Sequence, residues 1–281
     1  SGGSVAQMRF YGQEINQTSA AIGRMNLFIH DVEDAQILRG DTLRDPKFVD
    51  SAGKLDQFEL VIANPPFSLK DWGADTWATD PHRRAVGGIP PKGNGDFAWV
   101  QHMVASMASE SGRVGVVMPH GPLFRGGAEG KIRQHLIETD QLEAVISLAP
   151  NLFYGAGIPA CLLILRATKA KDRAGQLLFV DGSKRFTPGR AQNSLDNSDV
   201  DDLYAAYQGN EELEDIGVRL VPHGEIKDND WDLNIGRYLR AEAAEIIDTT
   251  EALAQLTEAR ETLAEAEAAM LERLKATGYE R

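Results

Sequence analysis

An α/β fold, with a mostly parallel sheet covered by helices on both faces, is what residues 1–190 predict. Three observations carry the prediction. Short apolar runs rich in Val, Ile, Leu and Phe recur along the chain, and stretches of helical character separate them. The third is composition: 281 residues, 42% hydrophobic and 25% charged, are ordinary for a globular protein and enough for one large domain with an appendage. A near-continuous apolar strand buries both of its faces, as the strands of a covered parallel sheet do.

Strands are expected at FYGQEI (10–15), AQILRGD (35–41), FELVIAN (58–64), RVGVVMP (113–119), LEAVISL (142–148), ACLLILR (160–166) and QLLFVD (176–181). Helices are expected between them, at residues 18–29, 96–109 and 129–138. Residues 191–232 are rich in Asp, Asn and Glu and read as loops with a short helix, so 191–240 is taken as an acidic surface connector. From Ala241 to Ala276 the chain has no Gly or Pro, and strong helix formers predict one helix of about 36 residues, roughly 54 Å long. Its residues Ile246, Leu253, Leu256, Leu263, Met270 and Leu274 recur at spacings of 7, 3, 7, 7 and 4, a heptad-like seam weakened by Arg260 and Glu267. The seam is expected to dock on a partner's helices, the alternative being packing back on its own domain. Three units are therefore expected: a catalytic domain at 1–190, the connector at 191–240 and a contact helix at 241–281.

A net charge of -13 argues at first against a polyanionic partner. The charge is unevenly spread, however. Residues 1–190 hold 21 Lys and Arg against 20 Asp and Glu, whereas residues 191–281 hold 8 against 22. A near-neutral first part with basic clusters at Arg83, Arg84 and Lys92, at Lys169, Lys171 and Arg173, and at Lys184, Arg185 and Arg190 is compatible with nucleic acid, although scattered basic side chains are more often simply solvated. The single cysteine, Cys161, lies inside the apolar run ACLLIL and reads as a small buried hydrophobe, which excludes a disulfide framework and a cysteine zinc site within one chain. No run of 18 apolar residues and no secretory leader is present, so neither membrane contact nor export is expected and a cytoplasmic location is. No metal is expected.

Ligands of such sheets bind beyond the carboxyl ends of the strands. Three of those ends are polar: FYGQEI delivers Glu14, AQILRGD delivers Asp41, and FELVIAN delivers Asn64, followed by Pro65, Pro66 and Phe67. Carboxylates closing two neighbouring strands suit a ribose diol and an adenine amino group, although a solvated strand-end acid is the plainer reading of either alone. The proline pair is more specific. Proline cannot donate to a ladder, so the strand must finish at Asn64 and the chain must leave the sheet as a stiff, extended turn. The Asn64 amide offers one acceptor oxygen, and the Pro65 carbonyl, next to a residue without an N–H, offers a second at a fixed position. Two acceptors converging on an exocyclic amine hold both its hydrogens and draw the nitrogen toward a tetrahedral geometry. Its lone pair can then attack an electrophilic carbon while Phe67 stacks on the ring. A base handled in this way has to leave its duplex.

Asn64 to Phe67 matches the Asn-Pro-Pro-Phe or Tyr signature of the amino-group methyltransferases that use S-adenosyl-L-methionine. The segments FYGQEIN, GRMNLFIH, RGDTL, FELVIANPPFS, PPKGNGDFAWVQHM, GRVGVVMPHGPLFRGG, IRQHLI, NLFYGAGIPACLLIL and WDLNIGRYL together resemble the modification (M) subunit of type I restriction-modification systems, over roughly residues 1–240. The resemblance implies a Rossmann-like S-adenosylmethionine-dependent methyltransferase sheet and transfer of a methyl group to N6 of a flipped DNA adenine. It implies that Glu14 binds the cofactor's ribose hydroxyls, that Asp41 lies near its adenine, and that Asp96 and Phe97 of NGDFAW belong to the cofactor side. Asn64, Pro65, Pro66 and Phe67 would handle the target base, with Phe153 of NLFYGAG as a second aromatic against it. The implied partners are DNA, a specificity (S) subunit docked on the C-terminal helix, and a restriction (R) subunit in the full complex.

The N-terminus departs from that family. Ser1, Gly2 and Gly3 resemble the tail of a glycine loop, where absent side chains let a cofactor approach the backbone. Ten residues between Gly3 and Glu14 are too few for a crossover helix and the next strand, which need about a dozen or more. The expectation is a piece that has lost N-terminal sequence, or an artificial linker at SGGS, without the family's helical N-terminal domain and inactive by itself. Two other functions draw on the same features. One is a non-catalytic assembly fragment presenting the C-terminal helix; the other is methylation of a glutamine amide, whose planar NH2 suits the same turn.

Overall fold

The computed structural model describes residues 8–32, 34–153, 157–209, 211–239 and 249–276. In chain order they form β1 (Phe10–Glu14), α1 (Gln17–Ile29), β2 (Ala35–Arg39), β3 (Leu60–Ala63), α2 (Ala74–Trp77), α3 (Asp96–Ala105) and β4 (Arg113–Pro119). Then follow α4 (Gly121–Phe124), α5 (Ala128–Glu138), β5 (Leu142–Ser147), β6 (Ala160–Arg166), β7 (Gln176–Asp181), α6 (Asn197–Gly209), β8 (Gly217–Pro222), α7 (His223–Asp228), α8 (Ile235–Tyr238) and α9 (Thr249–Ala276). The chain divides into one compact unit ending at Leu239 and a second that contains α9.

Every strand expected within residues 1–190 is a strand, but the sheet is mixed rather than mostly parallel. Six strands lie in the order β3-β4-β6-β5-β7-β8. The pairs β3–β4 and β5–β7 are parallel, whereas β4–β6, β5–β6 and β7–β8 are antiparallel. β6 follows β5 directly and inserts between β5 and β4, running against both. Apolar runs report that both faces are buried and say nothing about strand direction, which is why the expectation erred. At β5 and β7 both faces are covered. Val145, Leu177 and Phe179 pack on the side of α3, α5, α7 and α8, while Ala144, Ile146, Leu178 and Val180 pack on the side of α6. β5 and β7 thus send successive residues into two cores.

β1 and β2 form a separate parallel pair. Neither β1 nor β3 has a second strand neighbour among the described residues, and Leu60 and Ile62 are exposed on β3. The rings of Tyr11, Phe48 and Phe58 tie β1 to the approach to β3, with Tyr11 5.2 Å from Phe58 and 5.5 Å from Phe48. α1 starts where expected because Asn16 caps it, its side chain accepting the Ser19 N–H at 3.0 Å. α3 stops four residues early, since Phe58 takes over the backbone there: its N–H donates to Ser106 and its carbonyl accepts from Ala108.

Residues 211–239 differ from the surface connector expected of them. β8 pairs with β7 along its length, and Val221, Ile226, Leu233, Ile235 and Tyr238 enter the main core. Tyr238 stacks on Phe179 with ring centroids 4.4 Å apart. The long helix is present over Thr249–Ala276; residues 241–248, including Ile246, lie outside the described residues. Leu253, Leu256, Leu263, Met270 and Leu274 of the seam are exposed.

Candidate active site

The carboxyl ends of β1, β2 and β3 open on one cavity of about 860 Å³. Its lining includes Glu14, Asp41, Asn64, Pro65, Pro66, Phe67 and Phe153, seven of the residues singled out from sequence, together with Arg44, Trp72 and Trp99, which were not. Three strand ends far apart in the chain therefore serve one chamber, as expected for an open α/β sheet.

Each acid is held by the backbone that follows it. Glu14 closes β1, and its Oε1 accepts the Asn16 N–H at 2.7 Å, leaving Oε2 without a partner among the described residues. Asp41 follows β2, and its Oδ1 accepts the N–H groups of Leu43 (3.0 Å) and Arg44 (3.1 Å), an Asx-type turn. Its Oδ2 has only the Arg44 guanidinium, 3.8 Å away. Both carboxylates thus keep one oxygen for a ligand.

Asn64 follows the last residue of β3, and its side chain makes no hydrogen bond among the described residues. Pro65 is buried and Phe67 half-buried. The Phe67 ring stands edge-on to Phe153, centroids 6.4 Å apart and planes at 75°, so two aromatic walls flank the turn. Beyond it the backbone is strained, for Ser68 has φ 52° and Asp71 φ 53°, left-handed values that cost a non-glycine residue on the order of 1 kcal/mol or more.

Asp96 holds that strained turn. Its carboxylate, only 2% exposed, accepts the Ser68 N–H at 2.7 Å through Oδ1 and Arg125 Nη2 at 3.2 Å through Oδ2. Arg125 continues to buried Glu129 through Nε (2.6 Å) and Nη2 (2.9 Å). Burial pushes the Asp96 carboxyl up from its ordinary value, outweighing the pull of the Ser68 amide and Arg125, while the hydrogen bonds that Arg125 donates to Glu129 push its guanidinium up. Gly95 is required here by a close approach, since a Cβ would lie 2.8 Å from the Trp72 ring.

Asp96 and Phe97 do not line the cavity. Asp96 faces the turn's backbone, and Phe97, 1% exposed, packs in the main core with Val100 and Met103. Ser1, Gly2 and Gly3 lie outside the described residues. Arg125 was visible in the sequence only as part of HGPLFRGG, and Arg44, Trp72 and Trp99 carried no local mark of their place.

The model of the N-6 DNA methylase family matches residues 1–246. The chain belongs to that family. Among curated proteins, this N-6 DNA methylase chain is 35% identical over 264 residues to the type I restriction enzyme MjaVII methylase subunit of Methanocaldococcus jannaschii, covering 90% of the chain and 44% of that protein. It is 31% identical over 245 residues to the HindI methylase subunit of Haemophilus influenzae, covering 84% of the chain and 53% of that protein. Among solved structures, the type I methyltransferase subunit from Streptococcus thermophilus superposes with a TM-score of 0.75 at 32% identity, over 83% of the chain and 49% of that one. The EcoKI M protein shares the fold at a TM-score of 0.61 and 19% identity, over 94% of the chain and 60% of that one. The chain thus spans about half the length of the curated relatives it matches. The Rossmann-like methyltransferase fold is the fold of these neighbours.

Proposed function

We propose that the chain is the catalytic part of a DNA adenine N6-methyltransferase, the modification subunit of a type I restriction-modification system. The observation that carries the proposal is that Glu14 and Asp41 line the same cavity as Asn64 to Phe67 and Phe153. S-adenosyl-L-methionine would supply an electrophilic methyl group in that cavity. The residues fit it by the chemistry of the donor set. Two half-engaged carboxylates are acceptors for ribose hydroxyls and an exocyclic amine, and about 860 Å³ lies within the usual range of a few hundred to about 1,000 Å³ for small-molecule sites.

The placement of the chain's own residues supports the following roles. Asn64 Oδ1 and the Pro65 carbonyl accept the two hydrogens of the adenine N6, and the rings of Phe67 and Phe153 bound the flipped base. Catalysis then rests on proximity and on acceptors fixed before the reaction, with the amine's lone pair directed at the methyl carbon. Asp96 acts one step away, by fixing the turn. α9 offers its exposed seam to the specificity subunit, DNA is the substrate, and the restriction subunit joins the full complex.

Asn64→Ala in the complete methylase with its specificity subunit tests this. Removing one preorganised hydrogen-bond partner of a reacting group typically costs about 10²–10³ in rate. Methyl transfer to N6 of adenine should fall by about that factor, with cofactor affinity changed less than about threefold. A rate within about tenfold of wild type would sink the role of Asn64.

A further inference from the structure

Between the Asn64–Phe67 turn and α3, residues 68–95 form a long connection with a small core of its own, in which Trp72 and Trp77 pack with Leu43 and Ala98. At its centre lies Arg84, 2% exposed. The guanidinium gives Nε and Nη2 to the two oxygens of Asp80, at 3.0 and 2.8 Å. It also gives Nη2 to the Leu43 carbonyl at 2.8 Å and Nη1 to the Thr42 carbonyl at 3.3 Å. Nη1 further faces His102 Nδ1 at 3.2 Å, and the group lies 4.2 Å over the Trp77 ring. Burying a cation in this way is costly unless its donors all find acceptors, and here they do.

What distinguishes Arg84 from an ordinary buried ion pair is where two of those acceptors belong. Thr42 and Leu43 are the residues of the turn that begins at Asp41. From the cavity side, Asp41 Oδ1 closes that turn through the Leu43 and Arg44 N–H groups. Arg84, which does not line the cavity, grips the Thr42 and Leu43 carbonyls. The turn is thus fixed at its amides and its carbonyls together.

We infer that Arg84 is a positioning residue for cofactor binding, one that fixes the Thr42–Leu43 carbonyls and so sets the angle at which Asp41 meets the nucleoside. The assignment rests on the cofactor site proposed above. Neutralising Asp80 alone would need only a positive charge, which lysine also carries. Lysine has a single point of donation, however, and cannot span a carboxylate and two carbonyls as the planar fork does.

The test uses the complete methylase with its specificity subunit. Arg84→Lys should raise the KM for S-adenosylmethionine about tenfold or more, while kcat at saturating cofactor stays within about threefold. Trp77→Phe is the control: it loosens the same connection and leaves the polar grip intact, so it should lower the melting temperature with KM within about threefold. If Arg84→Lys does not accumulate in soluble form, Asp80→Glu, which keeps the ion pair but pushes the guanidinium off the carbonyls, should show the same rise in KM. An active wild type with an unchanged KM in Arg84→Lys, or an equal rise in Trp77→Phe, overturns the inference alone. A wild-type complex that transfers no methyl group overturns the proposed cofactor site and the inference with it.

Discussion

Replacing Asp96 by alanine deletes the acceptor that holds the strained turn, and the structure bounds the cost. Two hydrogen bonds go, from the Ser68 N–H at 2.7 Å and from Arg125 Nη2 at 3.2 Å, in a side chain 2% exposed. Hydrogen bonds to a charged group contribute about 1.5–3 kcal/mol each, which sets an upper limit near 6 kcal/mol. Two facts lower it. Arg125 keeps Glu129 through two bonds, so no buried charge is orphaned and the full ~3–5 kcal/mol penalty of a broken buried pair does not apply. Burial also raises the Asp96 pKa, a sign that its ionised form is held at some expense, which the alanine relieves. The expected loss is therefore about 2–4 kcal/mol, while Asp96→Asn, which can still accept from Ser68, should lose about 1–2 kcal/mol. Urea unfolding followed by tryptophan fluorescence reads both values. Methyl transfer by the complete complex should fall about tenfold or more in the alanine variant at temperatures where it remains folded, because a ~1 Å displacement of positioned groups can cost about 10²-fold. Unfolding of Asp96→Ala within about 0.5 kcal/mol of wild type would refute the structural reasoning. Wild-type methyl transfer in a destabilised variant would detach the turn's conformation from catalysis.

The other perturbations are simpler. Burial, and after it the charge of Arg84, depresses the His102 pKa to about 3, so between that value and its ordinary 6.5 the unfolded chain binds a proton that the folded chain does not. Stability should fall with acidification through that window by up to about 1.4 kcal/mol per pH unit from this group, and His102→Asn should flatten the slope; parallel urea midpoints between pH 4 and 6 would contradict it. In the C-terminal helix, the pair Leu256→Asp and Leu263→Asp should abolish co-purification with the specificity subunit, since burying an unpaired carboxylate in the seam costs several kcal/mol. The unit ending at Leu239 should keep its unfolding midpoint, and an unchanged complex would make the seam a solvated face.

The strand-end members of the cavity, Glu14, Asp41 and Asn64 to Phe67, were legible because strand ends are marked locally. A proline pair cannot continue a ladder, so Asn64 to Phe67 announces a strand end whatever surrounds it, and Glu14 and Asp41 close apolar runs in the same way. The runs of β5 and β7 were equally legible as strands, since burial on both faces demands unbroken apolar sequence. β8 escaped because it is an edge strand: Val218 and Val221 point inward, Arg219 and Pro222 face out, and acidic neighbours give the stretch the look of a loop.

Direction, neighbour order and grip belong to the tertiary structure. Side-chain pattern carries no sign for the chain's direction, so only the assembled sheet shows β6 running against both β4 and β5. Asp96 and Phe97 are adjacent at the start of α3, yet one turns to the Ser68 backbone and the other into the core, because successive helical residues point about 100° apart. Arg84 shows the limit most plainly. In sequence it is one of a basic cluster with Arg83 and Lys92, and surface charge is the natural reading. Its acceptors at Leu43 and Thr42 lie 41 and 42 residues away, on the turn after another strand. They are backbone carbonyls, which every residue possesses, so no residue type could have marked them; only the fold brings them within reach of a guanidinium that must find partners once it is buried.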